Sequence, residues 1–173
     1  MWMASAEEIS VESFAELRGY PGSESFVPED ADGALLINDS ERQSPNPANS
    51  IPLSLLFAGG TGGARGGRYL FRVGLWTPST ERDEFLSWYE KEHLPMLLEC
   101  AAWGGCRFVE APSPEGCQFY ALHQLVEKSA LESNERRASR ATPWFNKLKR
   151  HDWFDAGFTR QLYVRTEGVH SEV

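Results

Sequence analysis

The residues best equipped for chemistry lie in the stretch Phe85-Leu-Ser-Trp-Tyr-Glu-Lys-Glu-His-Leu-Pro95. Phe85, Tyr89 and His93 recur every four residues, so on a helix they share a face, and Trp88 widens that stripe. An imidazole titrates near neutrality and burial tunes it readily, so His93 can serve as base or acid, with the Tyr89 hydroxyl beside it. The plainer role for His93 is to cap the helix C-terminus through a backbone carbonyl. His123 is the second acid/base candidate; its plain alternative is a buried histidine that has found a partner. Arg72 puts a charge in the middle of an apolar segment. Burying it unpaired would be costly, so it must meet an acid or an anionic ligand group such as a carboxylate or enolate. Trp76, Trp88, Trp103 and Tyr120 could line a substrate pocket or simply fill a core. On an extended strand Tyr120 and His123 point to opposite faces, so only one of them can look into an enclosed lumen.

These side chains need elements to hold them. Thr80 is a good N-cap, and Glu81, Asp83 and Glu84 suit the first turn of a helix. Pro95 is expected to bend or end that helix, with a further turn over 96–100. Alternation predicts strands over 68–76, 104–110, 117–126 and 158–165, the middle two joined as a hairpin through the turn-rich 111–116. Ser129 with Glu132 reads as a capping box opening a helix that runs to about Arg140. Thr142-Pro143 starts another. The order strand, helix, strand, strand, helix, strand specifies an α+β class. It is the ferredoxin-like βαββαβ arrangement, a four-stranded antiparallel sheet with both helices on one face. The strands are apolar on both faces, so the second face must also be covered, by another subunit or by residues 1–67.

Those first 67 residues read as an acidic N-terminal extension. A short helix is expected over 9–17, a strand over 33–38, an exposed loop over 40–50 and an apolar strand or docking segment over 51–58. The run Gly59-Gly-Thr-Gly-Gly-Ala-Arg-Gly-Gly67 lacks the Gly-Lys-Ser/Thr ending of a phosphate loop and reads as a flexible linker. The remaining 68–173 form the main domain. Of the net charge of −8, residues 1–67 carry −7 (three basic, ten acidic) and residues 68–173 carry −1 (fourteen basic, fifteen acidic). Neither part has the basic excess of a nucleic-acid binder. The cluster Glu135-Arg136-Arg137-Ala138-Ser139-Arg140 mixes signs and reads as a solvated helix face. No apolar run approaches a membrane span, and the acidic start is unlike a secretory leader, so the expected location is cytoplasmic. Cys100, Cys106 and Cys117 lack disulfide or zinc spacing and are expected to be buried thiols, with no metal and no cofactor.

Three blocks of residues resemble the dimeric α/β barrel superfamily, in particular EthD-like domains. They are the strand Tyr69-Leu-Phe-Arg-Val-Gly-Leu75, the helix Phe85-x-x-Trp-Tyr-x-x-Glu-His-Leu-Pro95, and Phe119-Tyr-Ala-Leu-His-Gln-Leu125 with Ala130-Leu-Glu-Ser133 and Ala141-Thr-Pro-Trp144. The resemblance spans about 68–166. It implies a homodimer whose two sheets enclose a lumen for small, often aromatic or polyketide-derived molecules, with His93 as the foremost functional residue. The activity so implied is a cofactor-free lyase or cyclase working by acid/base chemistry in that lumen. Two other readings are a non-catalytic small-molecule-binding or stress-related barrel protein, and a monooxygenase or haem-degrading enzyme.

Overall fold

Eight antiparallel strands curl into a closed barrel. The structure is a computed structural model that describes residues 3–9, 23–30, 34–39, 50–60 and 67–166. The strands are β1 (Met3–Ile9), β2 (Ser23–Pro28), β3 (Ala34–Asp39), β4 (Ser50–Gly59), β5 (Tyr69–Thr77), β6 (Trp103–Ala111), β7 (Cys117–Leu125) and β8 (Phe158–Arg165). Around the ring they run β1-β3-β2-β8-β5-β7-β6-β4, with β4 returning to β1. The ring divides into β4-β1-β3-β2 and β8-β5-β7-β6. Each half has the order fourth, first, third, second, so the ferredoxin-like sheet occurs twice in one chain. The halves join where β2 meets β8 and where β4 meets β6.

This corrects the four-stranded expectation. The four strands predicted over 68–165 are all present, and four more from residues 3–59 extend the sheet. The cover that the second sheet face requires comes from within the chain. Strands β3 and β4 fall on the segments predicted over 33–38 and 51–58. The helix predicted over 9–17 and the loop over 40–50 lie outside the described residues except at their ends, Ile9 and Ser50, which belong to β1 and β4. Of the glycine run, Gly60 sits at positive φ (109°), and a Cβ there would lie 2.4 Å from the Gly105 Cα. That end of the run is fixed against β6, where only glycine fits.

Helices cover the outer face of the second half. They are α1 (Arg82–Trp88), continued by a π turn (Tyr89–His93) into α2 (Leu94–Leu98), then α3 (Asn134–Ser139), α4 (Pro143–Leu148) and α5 (Asp152–Ala156). Two caps differ in their outcome. Thr142 Oγ1 accepts from the Phe145 N–H at 3.0 Å, at the predicted position. The next helix back is capped by Ser133, which accepts from the Arg136 N–H at 3.1 Å, because Ser129 falls in a 3-10 turn over Lys128–Glu132. Among the described residues no helix is long and apolar enough to cross a membrane.

Alternation along the strands builds two separate cores. Phe71, Val73 and Leu75 of β5 join Phe119, Ala121 and Leu125 of β7 beneath the helices. Leu70, Leu122, Val109 and Tyr163 point inward and meet Phe26, Leu35, Ile37 and Leu53 from the N-terminal strands. The lumen is therefore packed with side chains, and it also holds a buried ion pair between Arg107 and Glu24. Such a lumen is a core and not a chamber.

Candidate active site

The cleft that gathers the acid/base groups lies outside the barrel, between the sheet and its helices. Its walls are Trp88, Tyr89, His93 and Leu97 from the helical side and Phe71, Val73, Trp103 and His123 from the sheet, with Arg136, Arg140, Asp155 and Arg160 also lining it. The cleft offers ≈ 50 Å³ to the centre of a water-sized sphere, within ≈ 540 Å³ of empty space that includes the open solvent at its mouth. Arg140, Asp155 and Arg160 are exposed, so the cleft opens to solvent at their end. The lumen expectation is thus corrected: inward positions are filled by packed apolar residues together with Arg72 and the Arg107–Glu24 pair, and His123 faces the helices.

The π turn sets the geometry. The Leu94 N–H bonds to the Tyr89 carbonyl, five residues back. Pro95 brings no N–H, and its ring would collide with the carbonyl four residues earlier in a regular α-helix. Widening the turn by one residue relieves that collision, so the helix continues through Pro95 instead of ending there. Such π turns recur at functional sites. In a wider turn the residue five ahead comes nearest. The Trp88 and His93 rings lie 4.6 Å apart and tilted by 31°, while Tyr89 and His93 are 5.0 Å apart and edge-on (63°). The Thr142 hydroxyl donates to Glu92 at 2.6 Å and ties α4 to this turn.

His123 sits between two partners. The Trp103 indole N–H lies 3.0 Å from its Nδ1, and the Tyr89 hydroxyl 2.8 Å from its Nε2. An indole N–H can only donate, so Nδ1 must be an acceptor. A neutral ring then carries its proton on Nε2 and donates it to the Tyr89 oxygen. The Tyr89 hydroxyl proton is left over for another acceptor. Burial holds His123 down at about 3, reinforced by His93 and Arg136. Burial likewise pushes the Tyr89 phenol well above its usual range, so it stays protonated.

His93 is lowered to about 4, by burial first, with the Ser139 backbone opposing and Arg140 and Arg136 adding to it. Its Nδ1 is buried and has no hydrogen-bond partner among the described residues. At neutral pH the ring is uncharged, and the ring nitrogen without the proton is an acceptor. The cleft therefore offers a fixed phenolic donor on Tyr89 and, at His93, a buried ring nitrogen that no protein group satisfies.

The structure divides the sequence-predicted set. His93, His123, Tyr89, Trp88 and Trp103 come together. Tyr120 is on the lumen side of β7, packed against the inner core. Arg72 is on the lumen side of β5, over the rings of Tyr163 (5.4 Å) and Tyr120 (5.9 Å). Trp76 is at the β6–β7 turn, donating to the Glu115 carbonyl at 3.0 Å. These three are separated from His93 by the sheet or by its end. The arginines at the mouth were the omission. Arg136 and Arg140 are four apart, a helical spacing that mixed charge had disguised as a solvated face. Cys106 and Cys117 are buried, Cys100 is half-buried, and all are free. Burial raises the Cys106 thiol, which makes it a poor nucleophile.

No family model and no curated protein matches the chain. Solved structures do match in fold. A major regulator of staphylococcal pathogenesis aligns with a TM-score of 0.67 at 7% identity, covering 96% of this chain and 100% of that one. An anthrone oxidase-like protein aligns at 0.66 and 11% identity, covering 99% and 95%. A Listeria monocytogenes ferredoxin fold protein related to antibiotic biosynthesis monooxygenases aligns at 0.65 and 13% identity, covering 96% and 96%. Nearly the whole chain thus shares the ferredoxin-like barrel fold of these proteins.

Proposed function

We propose that the chain is a cofactor-free monooxygenase acting on a small phenolic or polyketide-like molecule with an acidic C–H next to a carbonyl, bound in the cleft between helices and sheet. The observation that carries this reading is the unsatisfied, buried Nδ1 of His93, a residue that lines the same aromatic cleft as the Tyr89–His123–Trp103 chain. His93 accepts the substrate proton and Tyr89 donates to the enolate oxygen, which stabilises the carbanion as it forms. Dioxygen then adds to that carbon. Loss of water leaves a carbonyl, so CH2 plus O2 gives C=O plus H2O, with no external reductant. The fold likeness to an anthrone oxidase-like protein and to a relative of antibiotic biosynthesis monooxygenases favours oxygenation over the lyase or cyclase chemistry expected from sequence.

The test is oxygen uptake with anthrone in aerated buffer. The expected result is one O2 consumed per anthrone, falling by about 100-fold or more in His93→Ala with the fold retained. Solvent deuterium entering the carbon without oxygen uptake would return the chain to the lyase class. Binding without either reaction would make it a binding protein. A Soret shift with haemin, lost in His93→Ala, would point to haem as the molecule handled.

A further inference from the structure

The mouth of the cleft has the wrong charge for this protein. The chain carries −8 overall, yet three guanidinium groups, Arg136, Arg140 and Arg160, surround the opening against one carboxylate, Asp155. They come from two places, the α3 end and β8, so the fold has converged them. Among the described residues none of the three makes a salt bridge. Arg136 reaches the Leu131 carbonyl and lies 5.8 Å over Phe71, while Arg160 lies 5.1 Å over Phe158. Arginines seated on aromatic faces keep N–H donors in the guanidinium plane for an oxyanion. The cluster repels itself: Arg136 and Arg160 are lowered, by burial first and then by Arg140. An anion at their centre would remove that repulsion. Further in, the walls are aromatic, the Tyr89 hydroxyl offers its proton to an acceptor, and the buried Nδ1 of His93 is open to a proton.

We infer that the cleft takes an aromatic hydroxy-acid. Its carboxylate is held by Arg136, Arg140 and Arg160, its ring lies between Phe71 and Trp88, and its hydroxyl oxygen accepts from the Tyr89 hydroxyl, which leaves Nδ1 of His93 for the carbon-bound proton. This rests on the cleft being the ligand site and adds the substrate class. The three groups form a line from charged mouth to polar floor, which fixes the direction of entry.

Two matched pairs of probes test it by calorimetry on the full chain: 4-hydroxybenzoate against phenol, and 6-hydroxy-2-naphthoate against 2-naphthol. At least one acid should bind about ten-fold more tightly than its neutral partner, as expected for a charge-assisted contact in a partly desolvated site. In the double variant Arg140→Gln, Arg160→Gln, both exposed positions, that preference should fall to about two-fold while the melting temperature holds. Equal affinity for acid and neutral partner overturns the carboxylate clasp and leaves the cleft as the ligand site. A preference that survives the double variant also overturns the clasp. No binding by any of the four overturns the clasp and the cleft reading together.

Discussion

A histidine buried without its charge makes a pH-dependent protein. His93 and His123 sit at about 4 and 3 against an ordinary 6.5. The unfolded chain takes up both protons as pH falls below 6.5, and the folded chain does not. Their contribution to stability is therefore complete above pH 6.5. It is lost on acidification until the folded values are reached. Two such groups give a slope of at most about 2.7 kcal/mol per pH unit, twice the value of one. The melting temperature should drop between pH 7 and pH 5, and His93→Gln should remove about half of that drop. A wild-type melting temperature that is flat over this range would contradict the neutral burial of both rings. The same residues show the limit of spacing arguments. The four-residue repeat brought Tyr89 and His93 to one face, but only the π turn makes Trp88 the nearer ring.

At the scale of the element, Pro95 is the reason for that turn. Pro95→Ala restores a backbone N–H and removes the ring collision, so the helix can return to α geometry through residues 89–95. Removing an interior proline should leave stability unchanged or raise it, by up to about 3 kcal/mol. His93 would rotate away from Trp88, and ligand affinity should fall even as the melting temperature rises. Near-UV circular dichroism, which reports on the Trp88 environment, should change in step. Parallel gains or losses in stability and binding would show that the turn does not position the site.

Across the whole molecule, the two halves are bound through the lumen as well as along two seams. Glu24 on β2 pairs with Arg107 on β6 and lies 3.3 Å from Arg165 on β8. Glu24 and Arg107 are 9% and 4% exposed. Removing one member of such a buried pair leaves an uncompensated charge and typically costs 3–5 kcal/mol. Glu24→Ala should cost about 3 kcal/mol, read as a lower denaturant midpoint with one cooperative transition. Retained stability would mean that Arg107 is held by its other contacts. With the barrel interior filled, the cleft under the helices is the concave surface where the candidate groups meet.

Local pattern was enough to determine the second half of the fold. Period-two alternation gave β5 to β8 within a residue or two, and Thr142-Pro143 gave a helix start, because these depend on neighbours in sequence. Tyr89 and His93 were legible on one helix face for the same reason, whereas His123 reaches Tyr89 from a distant strand. What tertiary structure decided was everything that turns on long-range closure. Strands β1 and β2 were not foreseen at all, since they are defined by pairing to β3, β4 and β8. Which side of β7 faces a pocket depends on what fills the lumen, and this moved His123 outside and left Tyr120 and Arg72 within. Arg160 joins Arg136 and Arg140 only because β8 returns beside β5, bringing together charges twenty and more residues apart.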